Sequence, residues 1–454
     1  MFCEEDQKHQ SPIFARVLLH YEPELDITSS DAVLGAAKRF LTAPMQMEVS
    51  YHQGVMEVIS GITAGEMELI PIDAAMQRDG VASALGVRAV RKMMLDFIEG
   101  AIRLGRGREM VALCPDGLGI LADDAKCAQR LKQLLDKAAR GGCSLKVITG
   151  SACKPESIAP FWGAWMNGHL AGYFTGYHSG SSGMPERIAT ICVVRDHGAL
   201  CVANGENGRG ISANLYTCKE VIEAHYQRVS ACIKDCEQIS RQAFLRDPGG
   251  YLQDCADYAD EPCYLFNRMP QFGFLAPDQY AEFYRIPPNQ VEAFERECAP
   301  LMHPVREVAA SVPVRHVFCL SAIDDTLLEA RRMVPALSTF CGQRVFMTAQ
   351  GLVEALKEIR ALLIANKNYE VCFLPDCTFA DFSLHVVSWG KRCVVAWNGG
   401  KDASATNAPH VAQAAHLFCQ KIWERVPNGM RSRAAAIKHI DQWLKKARLY
   451  GLEV

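Results

Sequence analysis

The chain has 454 residues, 49% of them hydrophobic and 22% charged, with a formal net charge of −3 at pH 7. So much apolar material supports two or three domains with their own cores and excludes an intrinsically disordered chain. The nearly balanced charge excludes a global pull toward nucleic acid, and no apolar run approaches the ~20 residues that cross a bilayer.

The N-terminal stretch 1–107 predicts a helical region. Asp26–Asp31 offers N-cap residues for a helix through Ala32–Leu41. Tyr51–Ile59 and Ala74–Ile102 continue in helical periodicity, with Val87, Val90, Met94, Ile98 and Ile102 on one face. The first α/β unit is placed at 108–245. It opens on an apolar strand, Met110–Cys114, followed by a helix over Asp124–Arg140 that stops at Gly141-Gly142. Strand Leu145–Thr149 comes next, then an aromatic, Gly- and His-rich stretch at 161–183, a hairpin and a helix over Lys219–Lys234. Strands alternating with helices indicate an α/β sheet.

Residues 246–314 are predicted as a helical connector, and 315–454 as a second α/β unit with a terminal helix. In the second unit His316–Leu320 predicts a strand, Arg331–Thr339 and Leu352–Ala365 helices, and Arg431–Leu449 a closing helix that is apolar on one face and basic on the other.

Cysteine is abundant, at 19 residues, but the count is odd and contains no Cys-x-x-Cys pair. Cys192, Cys201, Cys372 and Cys393 lie inside apolar strands, where a thiol packs as a small hydrophobe. The N-terminus is polar and acidic rather than a signal peptide. A reducing, cytoplasmic setting is the expectation.

One pattern occurs twice. Cys192–Gly205 and His385–Gly399 are each a β-branched run, a turn with Gly, a second β-branched run and an Asn-Gly. That is a hairpin signature. Each copy follows a helix and an apolar strand, Lys132–Thr149 in one case and Ile359–Leu374 in the other. Each precedes a further helix, Lys219–Lys234 or His410–Arg425. The same order twice predicts internal duplication, with Cys192–Gly205 over His385–Gly399.

In this order, and in the helix end Lys421-Ile-Trp-Glu-Arg-Val-Pro427, the chain resembles the phospholipase D superfamily. In particular it is similar to the sensor-like region of certain bacterial helix-turn-helix transcriptional regulators. The resemblance implies an α/β fold of two duplicated phospholipase D-like units, with a cleft between the hairpins on a pseudo-twofold axis. The superfamily's chemistry uses His-x-Lys-x-x-x-x-Asp in each half, one His attacking phosphorus and the other protonating the leaving group. This chain departs from it. With Asp196 as the motif aspartate, Ala189 stands at the His position and Ile191 at the Lys position. Starting from His385, Val387 stands at Lys and Arg392 at Asp. No catalytic residue, cofactor or metal is therefore predicted.

If the cleft is retained, its contacts are expected from Arg195 and Asn204 on the first hairpin and from His385, Trp389 and Trp397 on the second. Trp165, Tyr173 and His178 of the aromatic stretch would fold over it. Aromatic rings would stack, while Arg195 and the histidines would favour an anionic or polar group. Metal binding by His169 and His178 is disfavoured, because no carboxylate or thiol shares their spacing. His197 and Cys201 invite a Cys/His nucleophile, but Cys201 lies in an apolar run and an inert thiol is favoured.

The resulting expectation is a non-enzymatic cytoplasmic sensor linked to transcriptional regulation, binding a small molecule or a protein partner, with a homodimer left open. Two alternatives stay open: a phosphodiester hydrolase with a rebuilt centre, and a DNA-binding regulator using residues 78–108. Ala82–Lys92 echoes a helix-turn-helix there, although DNA binding by this chain alone is not expected.

Overall fold

The computed structural model describes residues 74–454 apart from 79, 152, 180–187, 205–210, 240–260, 271–274, 276–278, 287–288, 290, 293–303, 330, 335–337, 339–343, 376–383, 392 and 398–402. All of these belong to one unit, 73–454. The helices expected at 32–41 and 51–59 lie outside the described residues.

The fold is mixed α/β with two large sheets. The first holds β1 (Ala74–Arg78), β2 (Val81–Leu85), β3 (Glu109–Cys114), β4 (Ser144–Gly150), β5 (Phe174–Ser179), β6 (Ile188–Val194), β7 (Gly198–Asn204), β8 (Ile211–Tyr216) and β9 (Glu237–Gln238). Their spatial order is β1-β2-β8-β7-β6-β3-β4-β5-β9. The second sheet contains β10 (Cys263–Phe266), β11 (Val314–Cys319), β14 (Tyr369–Leu374), β15 (His385–Trp389), β16 (Cys393–Trp397) and β17 (Ala403–Thr406), in the order β14-β11-β10-β15-β16-β17. A small pair, β12 (Arg331–Met333) and β13 (Phe346–Thr348), stands apart.

The principal helices are α1 (Val87–Arg103), α2 (Ala125–Gly141), α3 (Trp162–Leu170), α4 (Lys219–Lys234), α5 (Pro304–Ser311), α6 (Leu320–Leu328), α7 (Ala349–Ala365), α8 (Pro409–Arg425) and α9 (Arg433–Leu449). Local chemistry sets several of their ends. Asp124 caps α2 by accepting from the Cys127 N–H, and Gly142 closes it at φ 68°, a left-handed conformation that suits glycine. Thr348 caps α7 through the Gly351 N–H, and Ser432 caps α9 through the Ala435 N–H.

Packing follows strand alternation. On β3, Ala112 and Cys114 face the helices α1, α2 and α3, while Val111 and Leu113 face α4. Strands covered on both sides read as continuous apolar runs, as these do. Helix α3 is apolar nearly all round because it serves two cores. Its Ala164 joins the first, while Trp162, Met166 and Leu170 join the core of the second sheet.

The duplication is visible in strand order. In the first sheet β5-β4-β3-β6-β7-β8 are successive neighbours, and in the second β14-β11-β10-β15-β16-β17 are. The senses agree as well. β3-β4, β4-β5, β10-β11 and β11-β14 are parallel. β3-β6, β6-β7, β7-β8, β10-β15, β15-β16 and β16-β17 are antiparallel.

Several expectations need correction. Residues 74–85, expected to be helical, form a hairpin that joins the first sheet. Gly80 at φ 78° lies between its strands, and Gly86 at φ 88° breaks the chain before α1. This removes the helix-turn-helix echo at Ala82–Lys92, whose first part is strand. Residues 331–333 pair as strand with β13 instead of starting a helix. The stretch expected as connector contributes β10, which holds the place in its sheet that β3 holds in the first.

Finally, the helix–strand pairs flanking the hairpins are one strand out of step. The counterpart of β14 is β5, not β4, because neighbouring parallel strands carry the same kind of apolar run. The hairpins themselves are offset by two residues. Thr190 pairs with Val202 and His385 with Trp397, while the closing pairs are Val194–Gly198 and Trp389–Cys393. Thr190, rather than Cys192, is thus the counterpart of His385.

Candidate functional site

The register lines up His178, Thr149 and Cys114 across β5, β4 and β3, and its next step brings Thr190 of β6 beside Cys114. Directly paired residues share a face, so this row of polar and soft side chains points toward α1–α3. The matching row in the second sheet is Phe373, Phe318, Asn267 and His385. The polar row of the first sheet meets the second half of the chain at α8. The Thr149 hydroxyl donates to the Tyr177 carbonyl at 3.2 Å and lies 3.2 Å from Nε2 of His410. A hydroxyl has one proton, so His410 is the donor to Thr149 and holds the Nε2–H form.

The rings of His410 and His178 sit 4.8 Å apart. Burial, and then His178, lower the His410 pKa to about 4, so it is neutral at pH 7. Nδ1 of His178 is buried with no hydrogen-bond partner among the described residues. The Cys114 thiol is held well above its ordinary pKa by its bond with Cys192 and by burial, which makes it unreactive.

Beside this row lies a cavity of about 120 Å³. Its walls are Ile98 of α1, Leu131 of α2, Trp165 of α3, Ala112 of β3, Val147 of β4 and Val194 of β6, among others, and they are overwhelmingly apolar. The second half closes it with Ser404 and Thr406 of β17 and Val411 of α8. The Thr406 hydroxyl is fully engaged, donating to the Ile239 carbonyl and accepting from the Ala408 N–H. His169 also lines the cavity. Its Nδ1 is 2.8 Å from the Phe174 carbonyl, and burial lowers its pKa.

The eight residues expected at a shared cleft fall in several places. Trp165 lines the cavity, and His178 stands next to it through His410. Tyr173 is exposed at the turn before β5. Arg195, at the tip of the first hairpin, lies over the Tyr226 ring at 3.7 Å and bonds Glu223, both on α4 and therefore beyond the sheet from the cavity. His385 and Trp389 are buried in the core of the second half, 2% exposed each. Asn204 pairs with Ile211 and Trp397 with His385, while their side chains lie outside the described residues. The structure therefore does not gather the described ones among these side chains into one cleft.

The described part of the stretch 161–183 supplies α3 and β5, elements of the fold itself, instead of a covering flap. His197 stacks on Phe97 and does not approach Cys201, whose neighbour is His225 at 3.7 Å. Burial pushes the Cys201 thiol up to about 11. Among the described residues no three His, Cys, Asp or Glu side chains cluster as a metal site, and no helix is long and apolar enough to cross a membrane. Sequence reasoning missed Thr149, His410 and Ser404. Only the strand register and the docking of α8 bring them together, and no local motif marks them.

These features define a class: a mixed α/β protein of two halves that share one strand order, with an apolar cavity where the halves meet. No family model matches the chain, and no curated protein matches it. Among solved structures it is similar to the phosphatidylserine synthase of Haemophilus influenzae Rd KW20. That likeness has 9% identity and a TM-score of 0.24, over 84% of this chain and 95% of that one. It is also similar to TrmBL2, described as an archaeal chromatin protein with a novel mode of DNA binding, at 10% identity and a TM-score of 0.27, over 46% of this chain and 71% of that one. Scores this low carry no weight for function, and the fold class rests on the chain's own strand order.

Proposed function

We propose that this chain is a phospholipase D-like protein without the catalytic apparatus, a cytoplasmic sensor that binds a small molecule where its halves meet and serves transcriptional regulation. The observation that carries the reading is the hairpin register. Ala189 and Ile191 occupy the positions that the superfamily's His and Lys would take in the first half. The counterparts in the second half are Leu384 and Val386, both buried and apolar. His385 is one step away, so its side chain points to the other face of the strand. Burial and the nearby Arg268 lower its pKa to about 3, which leaves it neutral and a poor base. A binding role is supported by the cavity, whose wall draws on both halves. The free thiols of the described cysteines suit a reducing compartment.

Two assays on the full chain test the reading. Bis(p-nitrophenyl) phosphate should not be turned over above background, and a library of neutral and charged small metabolites should contain compounds that raise the melting temperature. Turnover abolished by His385→Ala would favour a hydrolase instead. A library with no stabilising compound would remove the sensor reading.

A further inference from the structure

Resting on that reading, the cavity also specifies its ligand. Its volume, about 120 Å³, is close to that of an engineered protein cavity that accepts benzene, given in round numbers as ~150 Å³. The body of the ligand is thus about one ring in size. Leu131, Val147 and Ala112 offer it dispersion contacts and no side-chain polar partner. One charged side chain, Arg108, reaches the wall, and it is committed to Asp196. A carboxylate or ammonium would lose its water here without gaining a counter-charge, which is costly. In the wall the buried Trp162 Nε1–H has no partner among the described residues, and on the second half the Ser404 hydroxyl is open as well. Ser404 is 5% exposed, lines the cavity, and its hydroxyl has no hydrogen-bond partner among the described residues. The neighbouring hydroxyls of Thr149 and Thr406 are already committed.

We propose that this cavity takes a neutral, single-ring molecule, apolar over its body, carrying one hydroxyl or carbonyl that bonds the Ser404 hydroxyl. The ring rests on walls of the first half and the polar group is held by the second, so occupancy ties the halves together. A buried hydroxyl that gains its only partner from the ligand discriminates by the cost of leaving it unmade.

The test uses the full chain and three probes matched in size: p-cresol, toluene and benzoate. Binding is read by quenching of tryptophan fluorescence, since Trp162 and Trp165 line the cavity, and by calorimetry. The expected result is that p-cresol binds about ten-fold more tightly than toluene, and that benzoate does not bind. Ser404→Ala should remove the preference for p-cresol while leaving toluene affinity unchanged. Ala138→Met, which fills the cavity from α2, should abolish binding of both. Circular dichroism establishes whether that variant folds, and if it does not, the Ser404→Ala comparison alone decides.

Equal affinity for benzoate, a preference untouched by Ser404→Ala, or no binding of any probe up to its solubility overturns the proposal. The sensor reading fails separately. A charged or larger library compound whose stabilisation is lost in folded Ala138→Met would sink this ligand assignment and leave that reading standing.

Discussion

Nε2 of His410, in the first turn of α8, lies 3.2 Å from the hydroxyl oxygen of Thr149 at the end of β4. This bond joins the two halves of the duplicated fold, and it forms where the sheet's polar row borders the apolar cavity. It depends on neutral imidazole in one tautomer, and on a threonine whose single proton is already given to Tyr177. The first two predictions below bear on this bond.

Thr149→Val keeps the side-chain shape but leaves the His410 N–H without its acceptor in a largely buried setting. The expected loss of stability is about 1–3 kcal/mol. Urea unfolding with an unchanged m-value checks it, and a midpoint equal to that of the parent protein would contradict the role assigned to this bond.

Stability should fall in mild acid. His316 and His385 have pKa values lowered to about 3, and His410 to about 4, from an unfolded value of 6.5, mainly by burial. Below pH 6.5 the unfolded chain takes up protons that the folded chain refuses, so stability decreases as pH drops. The stabilisation is complete above pH 6.5 and is lost progressively down to about pH 4 for His410 and about pH 3 for the other two. Melting temperatures at pH 7.5, 6 and 5 should decline in that order, and His410→Gln should flatten part of the slope. A flat profile from 7.5 to 5 would be inconsistent with these buried neutral rings.

Gly168 sits in α3 with the Phe174 ring pressed against the place a Cβ would occupy. Alanine normally favours a helix over glycine by about 1 kcal/mol. Here it must displace Phe174, whose ring packs 5.3 Å from Trp165 at the cavity wall. Gly168→Ala is therefore expected to destabilise, by roughly 1–3 kcal/mol. Thermal denaturation that shows stabilisation would mean that α3 can slide away from β5.

Two buried tryptophans offer a matched comparison. The Trp443 indole N–H donates to Asp324 at 3.1 Å, whereas that of Trp389 has no partner among the described residues. Replacement by Phe removes similar ring area at both sites but leaves Asp324 short of a donor only in the first. Trp443→Phe should cost about 1 kcal/mol more than Trp389→Phe. Equal losses in chemical denaturation would show that the Trp443 bond contributes nothing net.

Much of the architecture could be read from local pattern. Helices α2, α4, α7, α8 and α9 fall within a few residues of the periodic stretches that predict them, because caps such as Asp124 and breaks such as Gly142 act within one turn. The paired hairpins were legible too, since β-branched runs around a Gly turn fix their own geometry. The strands over 74–85 were not, because the helical spacing from Val87 onward spread the helix assignment across them. Apolar β3, β4, β10 and β11 look alike in sequence, so which strand pairs with which could not be read from them. Pairing is decided by contacts between residues far apart in the chain, as with Phe266 and Val386.

The sequence alone determined that this is an α/β chain with an internal repeat and without the superfamily's His-x-Lys pair. Those properties are local: periodicity, turn chemistry, and the identity of residues at a fixed spacing. The tertiary structure decided the site. Arg195 and Trp165 are both aromatic-associated residues near a hairpin or a Gly-rich stretch, but a sheet separates them. Thr149, His410 and Ser404 are ordinary in sequence and come together because two halves, each burying its own apolar strands, meet through α3 and α8.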